Sequence, residues 1–448
     1  ENEIDNYKQD HYQLHWNQQL SGNWSTNVGL NYTYGRGYFE QYKEGENFAD
    51  YDLTPITIGG ETIDETNLIR RRWLDNDFYV LNTNATYKNN EIEFIFGTSL
   101  STYKGGHFGE IIWAEFASNS EVRNHYYDGN STKNDANIFG KITYNLDDSW
   151  TLFTDLQTRF VKFKTSGLTS ERTPININEK YSFFNPKAGL TYKLSNNNSF
   201  YLSYAKANKE PNRNDFENGV NTAEKLNDFE LGWRFKNENV KVNSNIYYML
   251  YKDQLVLTGA IDDVGSPIRA TSGKSYRLGL EIDATIKLTN KLALQPNIAI
   301  SNNKNVDFVT TWNGELVDLG NTDISFSPNL IAANAFVFQP TKNTQLSFLS
   351  KYVGKQYMGN IDNTNSKLES YFVNDFNASY ELRPNKIFKS IVFNALINNI
   401  FSTKYISNGY YYTYDDTWSV DGETTTLDGA GYYPQATRNF LMGVTFKF

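Results

Sequence analysis

The sequence contains no cysteine and has only four histidines, three methionines and ten prolines among 448 residues. The absence of cysteine excludes a disulfide framework and a thiolate metal site. No window approaches eighteen consecutive apolar residues, so the sequence has no candidate transmembrane helix. The net charge of −9 argues against a nucleic-acid partner, because proteins that bind a phosphate backbone usually carry a basic surface. We therefore expect no nucleic-acid partner.

Aromatic residues are abundant by contrast: they make up 16% of a chain that is only 39% hydrophobic, a composition that favours strands. The length allows two or three ordinary domains or one very large sheet, so the choice depends on periodicity. The segment YRLGLEIDATIKL, residues 276–288, places seven apolar side chains on one face and alternates them with polar or small ones. Residues 24–34 and 229–235 show the same period of two. With no convincing helical period, we predict an all-β, antiparallel protein.

The connections between candidate strands alternate between short and long. Seventeen strands are predicted, at residues 7–20, 23–42, 70–88, 91–104, 134–146, 149–164, 182–194, 198–207, 224–236, 239–253, 273–289, 291–302, 323–338, 344–356, 367–382, 388–401 and 435–448. The long connections lie near residues 43–69, 105–133, 165–181, 208–223, 254–272, 303–322, 357–366 and 402–434. Tight turns alternating with long loops are typical of outer-membrane barrels, whose turns are periplasmic and whose loops are extracellular. The pattern predicts that residues 1–448 form a transmembrane antiparallel β-barrel portion with long extracellular loops.

An odd number of strands has a consequence for the rest of the barrel. Bacterial single-chain barrels normally have an even number of strands and both ends in the periplasm. We therefore expect an amino-terminal portion, absent from this sequence, to supply an odd number of further strands. An open sheet of this size would otherwise expose two unpaired edges to lipid.

The closing segment, RNFLMGVTFKF at residues 438–448, alternates apolar and polar side chains up to the last residue. We expect the outer-membrane lipid to cover one face, which consists of Phe440, Met442, Val444, Phe446 and Phe448. Alternating hydrophobic residues that end in Phe resemble the signal recognised by the outer-membrane assembly machinery. The alternative is an ordinary edge strand of a soluble sheet.

Three motifs resemble TonB-dependent outer-membrane receptors of the Bacteroidetes type. They are YLSYAKANKEPNRNDFEN at 201–218, VFNALINNIFSTKYISNGY at 392–410 and GYYPQATRNFLMGVTFKF at 431–448. The resemblance implies a 22-stranded barrel in the outer membrane of a Gram-negative bacterium, with an amino-terminal plug domain and energy relayed by TonB. Because the plug, the TonB box and about five strands are not found here, we expect TonB to act through the missing portion.

Uptake by such a receptor requires recognition and not bond-making, so we expect no enzyme activity, no catalytic residues, no cofactor and no metal site. Aromatic and polar loop side chains suit an amphipathic small-molecule ligand. The candidate ligand-binding residues are Trp113, His125, Tyr126 and Tyr127 in loop 105–133, Arg213, and Tyr410, Tyr411, Tyr412, Trp418 and Tyr432 in loop 402–434. The alternative for each ring is packing between loops or a place in the aromatic girdle. For Arg213 we favour an internal ion pair with Asp215 that orders the loop.

The leading functional hypothesis is TonB-dependent import of a scarce ligand, a ferric-siderophore-type iron complex in the first place. Cobalamin, haem or an oligosaccharide are alternative ligands. A passive porin-like channel is the alternative from another class, and the upstream sequence would separate the two: a globular plug favours the receptor, and one short strand favours a porin.

Overall fold

The computed structural model describes residues 3–262, 265–384 and 387–448. This part of the chain forms 28 strands, one five-residue α-helix and two short 3-10 segments. The predicted long connection 254–272 includes residues 263 and 264, which lie outside the described residues. No helix in the described part is long and apolar enough to cross a membrane. The all-β prediction is confirmed.

Contacts within the chain divide it into two compact units, which we describe separately. Unit 1 consists of residues 1–144 and 153–186, and unit 2 of residues 145–152 and 187–448. The strands of unit 1 are β1 (Ile4–Gln19), β2 (Trp24–Asn47), β3 (Ile56–Ile58), β4 (Glu61–Ile63), β5 (Glu65–Lys88) and β6 (Ile92–Ala114), with most of β7 (His125–Asn145) and β8 (Trp150–Leu168) and the first part of β9 (Pro174–Ser195). One 3-10 segment, Phe48–Tyr51, follows β2.

Unit 2 contains the end of β9 and the remaining strands. Its strands are β10 (Asn198–Lys209), β11 (Glu224–Lys236), β12 (Val240–Lys252), β13 (Leu255–Ile261), β14 (Pro267–Thr271), β15 (Lys274–Thr289), β16 (Leu292–Val306), β17 (Val309–Trp312), β18 (Glu315–Asp318), β19 (Thr322–Asp323), β20 (Leu330–Thr341), β21 (Thr344–Val353), β22 (Gln356–Tyr357), β23 (Lys367–Leu368), β24 (Tyr371–Leu382), β25 (Ser390–Asn398), β26 (Ile406–Asp416), β27 (Thr425–Pro434) and β28 (Asn439–Lys447). The helix α1 (Arg213–Glu217) and the 3-10 segment Thr364–Ser366 belong to this unit.

All strand pairs described within each unit are antiparallel, as predicted. In unit 1, β2 pairs with β1 and β5, and β6 pairs with β5 and β7. In unit 2, β10 pairs with β9 and β11, β12 with β11 and β15, and β16 with β15 and β20; the pairs β20–β21, β21–β24, β24–β25 and β25–β28 follow. Each of the seventeen predicted strands overlaps one of the long strands observed in the described residues.

The apolar face of these sheets is exposed, the reverse of a soluble fold. In unit 2, Leu231 and Ile246 stand opposite each other and are 52% and 48% exposed. On the other face, Gly279 is buried and the Tyr247 ring lies over it. We call the face that carries Leu231 and Ile246 the apolar face of unit 2. Apolar side chains that alternate with polar ones on a transmembrane strand face lipid, and the polar ones face the barrel interior.

Strand β28 does not distinguish its two faces by exposure. Phe440 is 72% exposed, but Leu441 on the opposite face is also 58% exposed. All nine residues of β28 are exposed, as expected for a strand at the edge of unit 2. The assignment of Phe440, Met442, Val444, Phe446 and Phe448 to lipid stays a prediction.

The strands of unit 1 are longer than predicted. With 24 residues, β5 spans roughly 80 Å, whereas about ten residues cross a bilayer. Residues 105–114 and 125–133, predicted as parts of a loop, belong to β6 and β7. The loop placement of Trp113, His125, Tyr126 and Tyr127 is therefore wrong. Beyond the hydrocarbon both faces of a strand meet water, so the alternation that identifies a strand in the sequence is lost.

Several long connections of unit 2 fold into short hairpins. The pairs are β13–β14, β17–β18, β22–β23 and β26–β27. The segment 402–434, predicted as a loop, contains the last of these, with Tyr412 opposite Gly429. That prediction is corrected: the alternation of Tyr410, Tyr412 and Tyr414 marks a strand whose exposed face carries rings.

Candidate ligand-binding surfaces

A buried cluster orders the long-connection end of unit 1. It contains Phe48, Tyr51, Leu53, Leu68, Ile111, Tyr126 and Tyr127. The rings of Tyr51 and Tyr126 are 4.8 Å apart, and those of Tyr126 and Tyr127 are 5.0 Å apart at 74°. Both rings of the Tyr126–Tyr127 pair cover Gly109, where a side chain would overlap them. In this structure Tyr126 and Tyr127 of β7 pack against β6 and against the connection that follows β2. Their contact with ligand stays a prediction.

A buried polar network extends this cluster through Arg70. Its guanidinium donates hydrogen bonds to the Tyr51 hydroxyl at 3.1 Å and to Gln41 Oε1 at 2.9 Å. The Tyr51 hydroxyl in turn donates to Glu46 Oε2 at 2.6 Å. Burial, followed by the hydrogen bond to Glu46, raises the pKa of the Tyr51 phenol above its ordinary value. The phenol is therefore held as a donor to a carboxylate.

His125 and Trp113 lie on the outer parts of β7 and β6. The imidazole of His125 stacks on Phe108 with centroids 4.5 Å apart. Its Nε2 atom lies 3.7 Å from Glu110 Oε1, and its Nδ1 atom lies 3.6 Å from Asp128 Oδ2. Trp113 stands opposite Ile69 and is exposed. Both residues can be reached by solvent, and their proposed role in binding is untested.

Arg213 and Asp215 do not form the predicted ion pair. Arg213 Nε donates to Glu217 Oε1 at 2.7 Å along α1. Asp215 is buried and accepts a bidentate pair from Arg269 of β14, and its Oδ2 also accepts from the backbone N–H of Asn212. Asn212 caps the helix in return by accepting from the Asp215 N–H. The prediction of an Arg213–Asp215 pair is therefore wrong. The guanidinium that contacts Asp215 belongs to a residue far away in the sequence, and the spacing of residues 213 and 215 does not indicate it.

A row of rings covers one face of the β26–β27 hairpin. Tyr410, Tyr412, Tyr414 and Trp418 follow one another with ring centroids 6.3, 6.3 and 6.4 Å apart and planes inclined by at most 26°. Tyr433 joins the row through Tyr410, at 6.0 Å. We call these five residues the aromatic ladder. Trp418 is 71% exposed, and Tyr412, Tyr414 and Tyr433 are also exposed.

Two glycines on the neighbouring strand support the ladder. Gly431 lies opposite Tyr410, and Gly429 lies opposite Tyr412. A Cβ atom at either glycine would overlap the ring across from it. The two tyrosine rings therefore rest on the backbone of β27.

The other face of the same hairpin is buried at Tyr411 and exposed at Tyr432. Tyr411 forms a core cluster with Met358 and Leu368. Burial and the nearby charge of Asp428 raise the pKa of the Tyr411 phenol. Tyr432 is exposed, and its hydroxyl donates to the Asn365 carbonyl at 2.8 Å. Tyr411 therefore anchors the hairpin, and its predicted contact with ligand stays untested.

Side-chain hydrogen bonds tie this hairpin to its neighbour in unit 2. The Asn313 N–H donates to Thr426 Oγ1 at 2.7 Å, and the Thr426 N–H donates to Asn313 Oδ1 at 2.8 Å. In the same unit, Asn360 Nδ2 donates to the Leu257 carbonyl at 2.7 Å. These hydrogen bonds join the connections of unit 2 to one another.

A cavity of about 580 Å³ lies between the β13–β14 and β26–β27 hairpins. Its lining includes Leu257, Ile261, Phe326, Asn408 and Tyr433, the last of which belongs to the ladder. A larger cavity of about 880 Å³ lies in unit 1, but mid-strand side chains such as Leu14, Leu30 and Leu100 line it. We favour the smaller cavity as the ligand site, because it lies among the connections and not along the middle of the strands.

Long antiparallel strands with exposed apolar faces, found in both units, are typical of outer-membrane β-barrels. The family model for "TonB dependent receptor-like, beta-barrel" matches residues 1–400. The chain therefore belongs to the TonB-dependent receptor family, whose barrels lie in the outer membrane of Gram-negative bacteria. The family is made up of receptors and transporters, which favours a role without catalysis.

Solved structures share the fold at low identity. The ferric-catecholate import receptor Fiu from E. coli K12 aligns with a TM-score of 0.68 at 13% identity, over 99% of this chain and 64% of that chain. The siderophore receptor PiuA from Acinetobacter baumannii gives 0.68 at 14%, over 99% and 65%. The copper transporter OprC gives 0.72 at 14%, over 99% and 66%. The chain thus spans less than two thirds of each. No curated protein matches the sequence.

Sequence reasoning missed the residues that order the site. Arg269, Asn360 and Gly109 were not singled out, because their roles depend on partners far away in the chain. The alternation of Tyr410, Tyr412 and Tyr414 against Gly429 and Gly431 was the one available signal for the ladder. A Gly-x-Gly segment that follows a Tyr-x-Tyr-x-Tyr segment is compatible with rings resting on glycines in a hairpin.

Proposed function

We propose that this protein is the barrel portion of a receptor that imports a ferric-siderophore-type iron complex with energy relayed by TonB. The observation that carries the proposal is the aromatic ladder beside the 580 Å³ cavity. Ligand pockets commonly measure about 300–1,000 Å³, and aromatic rings favour offset stacking on planar groups. Fiu and PiuA, described as a ferric-catecholate import receptor and a siderophore receptor, share the fold and support the ligand class.

The proposal includes partners beyond the ligand. The plug domain and the contact with TonB are assigned to sequence outside these 448 residues. The support is that the matching family model describes the barrel and that the chain spans less than two thirds of Fiu, PiuA and OprC. We further propose that the long connections face the cell exterior, as in other barrels of this class.

Uptake in a deletion strain tests the function. The full-length protein is restored by complementation, and uptake is measured for a ferric catecholate complex, ferric citrate, copper ion, haem and cobalamin, and for an oligosaccharide by growth. We expect uptake of a ferric complex that depends on both the gene and TonB. Uptake of one of the other nutrients alone would contradict the ligand class. Passage of all small solutes without TonB would instead identify a porin-like channel.

A further inference from the structure

Three lysines stand directly opposite one another at one end of the apolar face of unit 2. Lys225 of β11 pairs in register with Lys252 of β12, and Lys252 pairs with Lys274 of β15. All three side chains are exposed. Lys206 of β10 lies opposite Asn227, two residues along β11 from Lys225. We call Lys206, Lys225, Lys252 and Lys274 the lysine row.

The lysine row has no acidic partner in the part of the chain that the structure describes. Among the described residues, none of the four lysines forms an ion pair or a side-chain hydrogen bond. Neighbouring strands lie about 4.8 Å apart, so the side chains of three paired lysines start within roughly 10 Å of one another. Like charges directly opposite each other on a sheet are destabilising. An anion from outside the described chain would therefore reduce the repulsion between these lysines.

Two arginines of unit 1 do have acidic partners on the neighbouring strand. In unit 1, Arg36 lies opposite Asp75 in register, and the two form an ion pair at 3.4 Å. Arg71 lies opposite Glu40, and the Arg71 Nε atom is 2.7 Å from Glu40 Oε2. These cross-strand pairs neutralise their cations within the sheet. In unit 2, by contrast, the register places Lys252 between two other lysines, Lys225 on one side and Lys274 on the other.

The lysine row borders the apolar surface that faces lipid. Along β12 the same face carries Lys252, Leu250 and Tyr248, at steps of about 7 Å. The Tyr248 ring contacts Tyr276 of β15 at 6.2 Å, and Tyr276 is the next residue on that face after Lys274. Aromatic residues mark the membrane interface of barrels, and lysine ammonium groups just beyond them reach the headgroup level.

We propose that the lysine row binds the phosphate-bearing headgroup of a lipid in the outer leaflet of the outer membrane. A phosphate supplies the missing negative charge, and lysines near a membrane surface attract such groups. A lipid is favoured over free phosphate because its acyl chains would also cover the apolar side chains that continue from the row, such as Leu250 and Leu278. The choice of leaflet rests on the proposed outward orientation of the long connections, which adjoin this end of β11, β12 and β15.

Lipid binding to the purified full-length protein tests the proposal. Native mass spectrometry measures affinity for a phosphorylated glycolipid, for the same glycolipid after phosphatase treatment, and for inorganic phosphate alone. The test variant is K225Q/K252Q/K274Q. The matched control is K236Q/K241Q/K287Q, which removes three exposed lysines from the other end of the same three strands. A third variant, K225R/K252R/K274R, keeps the charge.

We expect the glutamine variant of the row to bind the phosphorylated glycolipid at least about tenfold more weakly than the parent protein. The control and the arginine variant should stay within about twofold of the parent, and removal of the phosphate should weaken parent binding as the test variant does. Equal binding of the test variant and the parent would overturn the proposal. Complete displacement of the glycolipid by inorganic phosphate would overturn the choice of a lipid.

If the glutamine variant does not insert into the membrane, the parent protein alone tests the proposal. Equal affinities of the parent for the phosphorylated and the phosphatase-treated glycolipid would overturn it. The assay involves neither iron nor TonB. Failure of the proposed import function would therefore leave its result unchanged.

Discussion

Arg269 donates two hydrogen bonds to the carboxylate of Asp215, from Nε at 2.9 Å and from Nη2 at 2.7 Å, and so joins β14 to α1. The carboxylate also accepts from the Asn212 N–H at 2.7 Å. Because Asp215 is buried, these donors stabilise a charge that water cannot reach. One side chain thus closes a helix start and fixes a distant hairpin.

Replacing Asp215 with Asn should release the connection between α1 and β14. The substitution leaves the Arg269 guanidinium without its carboxylate, and we expect a loss of about 3 kcal/mol of local stability. Hydrogen exchange at the backbone amides of residues 212–218 and 267–271 would measure it. The control is Arg383→Gln, which breaks the exposed Arg383–Glu381 pair at the end of β24 and should cost below about 1 kcal/mol. Equal protection in both variants would show that the Asp215 pair is dispensable.

Gly109 should tolerate no side chain. In Gly109→Ala, the added methyl group meets the rings of Tyr126 and Tyr127, and we expect a loss of about 1–3 kcal/mol. Thermal unfolding of the purified protein gives the measurement. Gly106→Ala is the control on the same strand, because its added Cβ would meet only ordinary contacts, the nearest at 3.7 Å. A Gly109 variant as stable as the Gly106 variant would mean that the two rings move aside freely.

The buried phenol of Tyr51 should make stability depend on pH in the alkaline range. Its pKa is raised in the folded state, whereas an unfolded tyrosine ionises near pH 10. The contribution of the phenol is therefore complete below about pH 10 and is lost as the pH rises further, because the unfolded state releases its proton first.

Tyr51→Phe should accordingly cost about 1–3 kcal/mol at pH 8, since it removes hydrogen bonds with Glu46 and Arg70. Urea unfolding between pH 8 and pH 11 would show this difference narrowing. Tyr380→Phe, at an exposed tyrosine, is the reference. A difference for Tyr51 that does not change with pH would contradict the assignment.

The membrane assignment of the apolar face predicts the effect of a charge on it. Ile246→Lys puts an ammonium group on the face that carries Leu231 and Leu280, its partners in register. We expect a loss of about 2–4 kcal/mol for the protein refolded in lipid vesicles. Asn243→Lys, three residues away on the polar face beside Asp283, should change stability by less than about 1 kcal/mol. Equal costs at the two positions would count against lipid contact.

The aromatic ladder predicts which rings matter for binding. Tyr414→Ala and Trp418→Ala remove exposed rings without opening a core, so we expect roughly tenfold weaker binding of a ferric catecholate complex, or about 1.4 kcal/mol for each ring. Fluorescence quenching on the full-length protein can follow the binding. Tyr380→Ala, at the short-turn end of β24, should bind as the parent does. Unchanged affinity in both ladder variants would remove the ladder from the site.

The alternation of apolar and polar residues predicts the positions of the strands where they cross the membrane. The segment 276–288 lies wholly within β15, because lipid on one side and water on the other require a period of two. That requirement ends at the headgroups. The outer parts of β6 and β7 therefore carry no such pattern, and the sequence predicts a loop at His125 and Tyr126.

The candidate site was less accessible to sequence reasoning, because it depends on register and on distant partners. Arg269 is 54 residues from Asp215 in the sequence, and nothing local to either residue indicates the pair. The lysine row is similar: Lys225, Lys252 and Lys274 meet only because three strands align at one position. The ring content of 402–434 was evident, but its division into buried Tyr411 and exposed Tyr412 required the hairpin.

The long paired strands of unit 1 predict where this protein resists proteases that are added to intact cells. Proteases need several residues of free, extended backbone in their active sites. The arginines at 70–72 lie within β5, whose backbone is paired on both sides with β2 and β6. Trypsin added to intact cells should therefore leave this part of β5 uncut and cleave first at cationic residues outside the paired strands, such as Lys404.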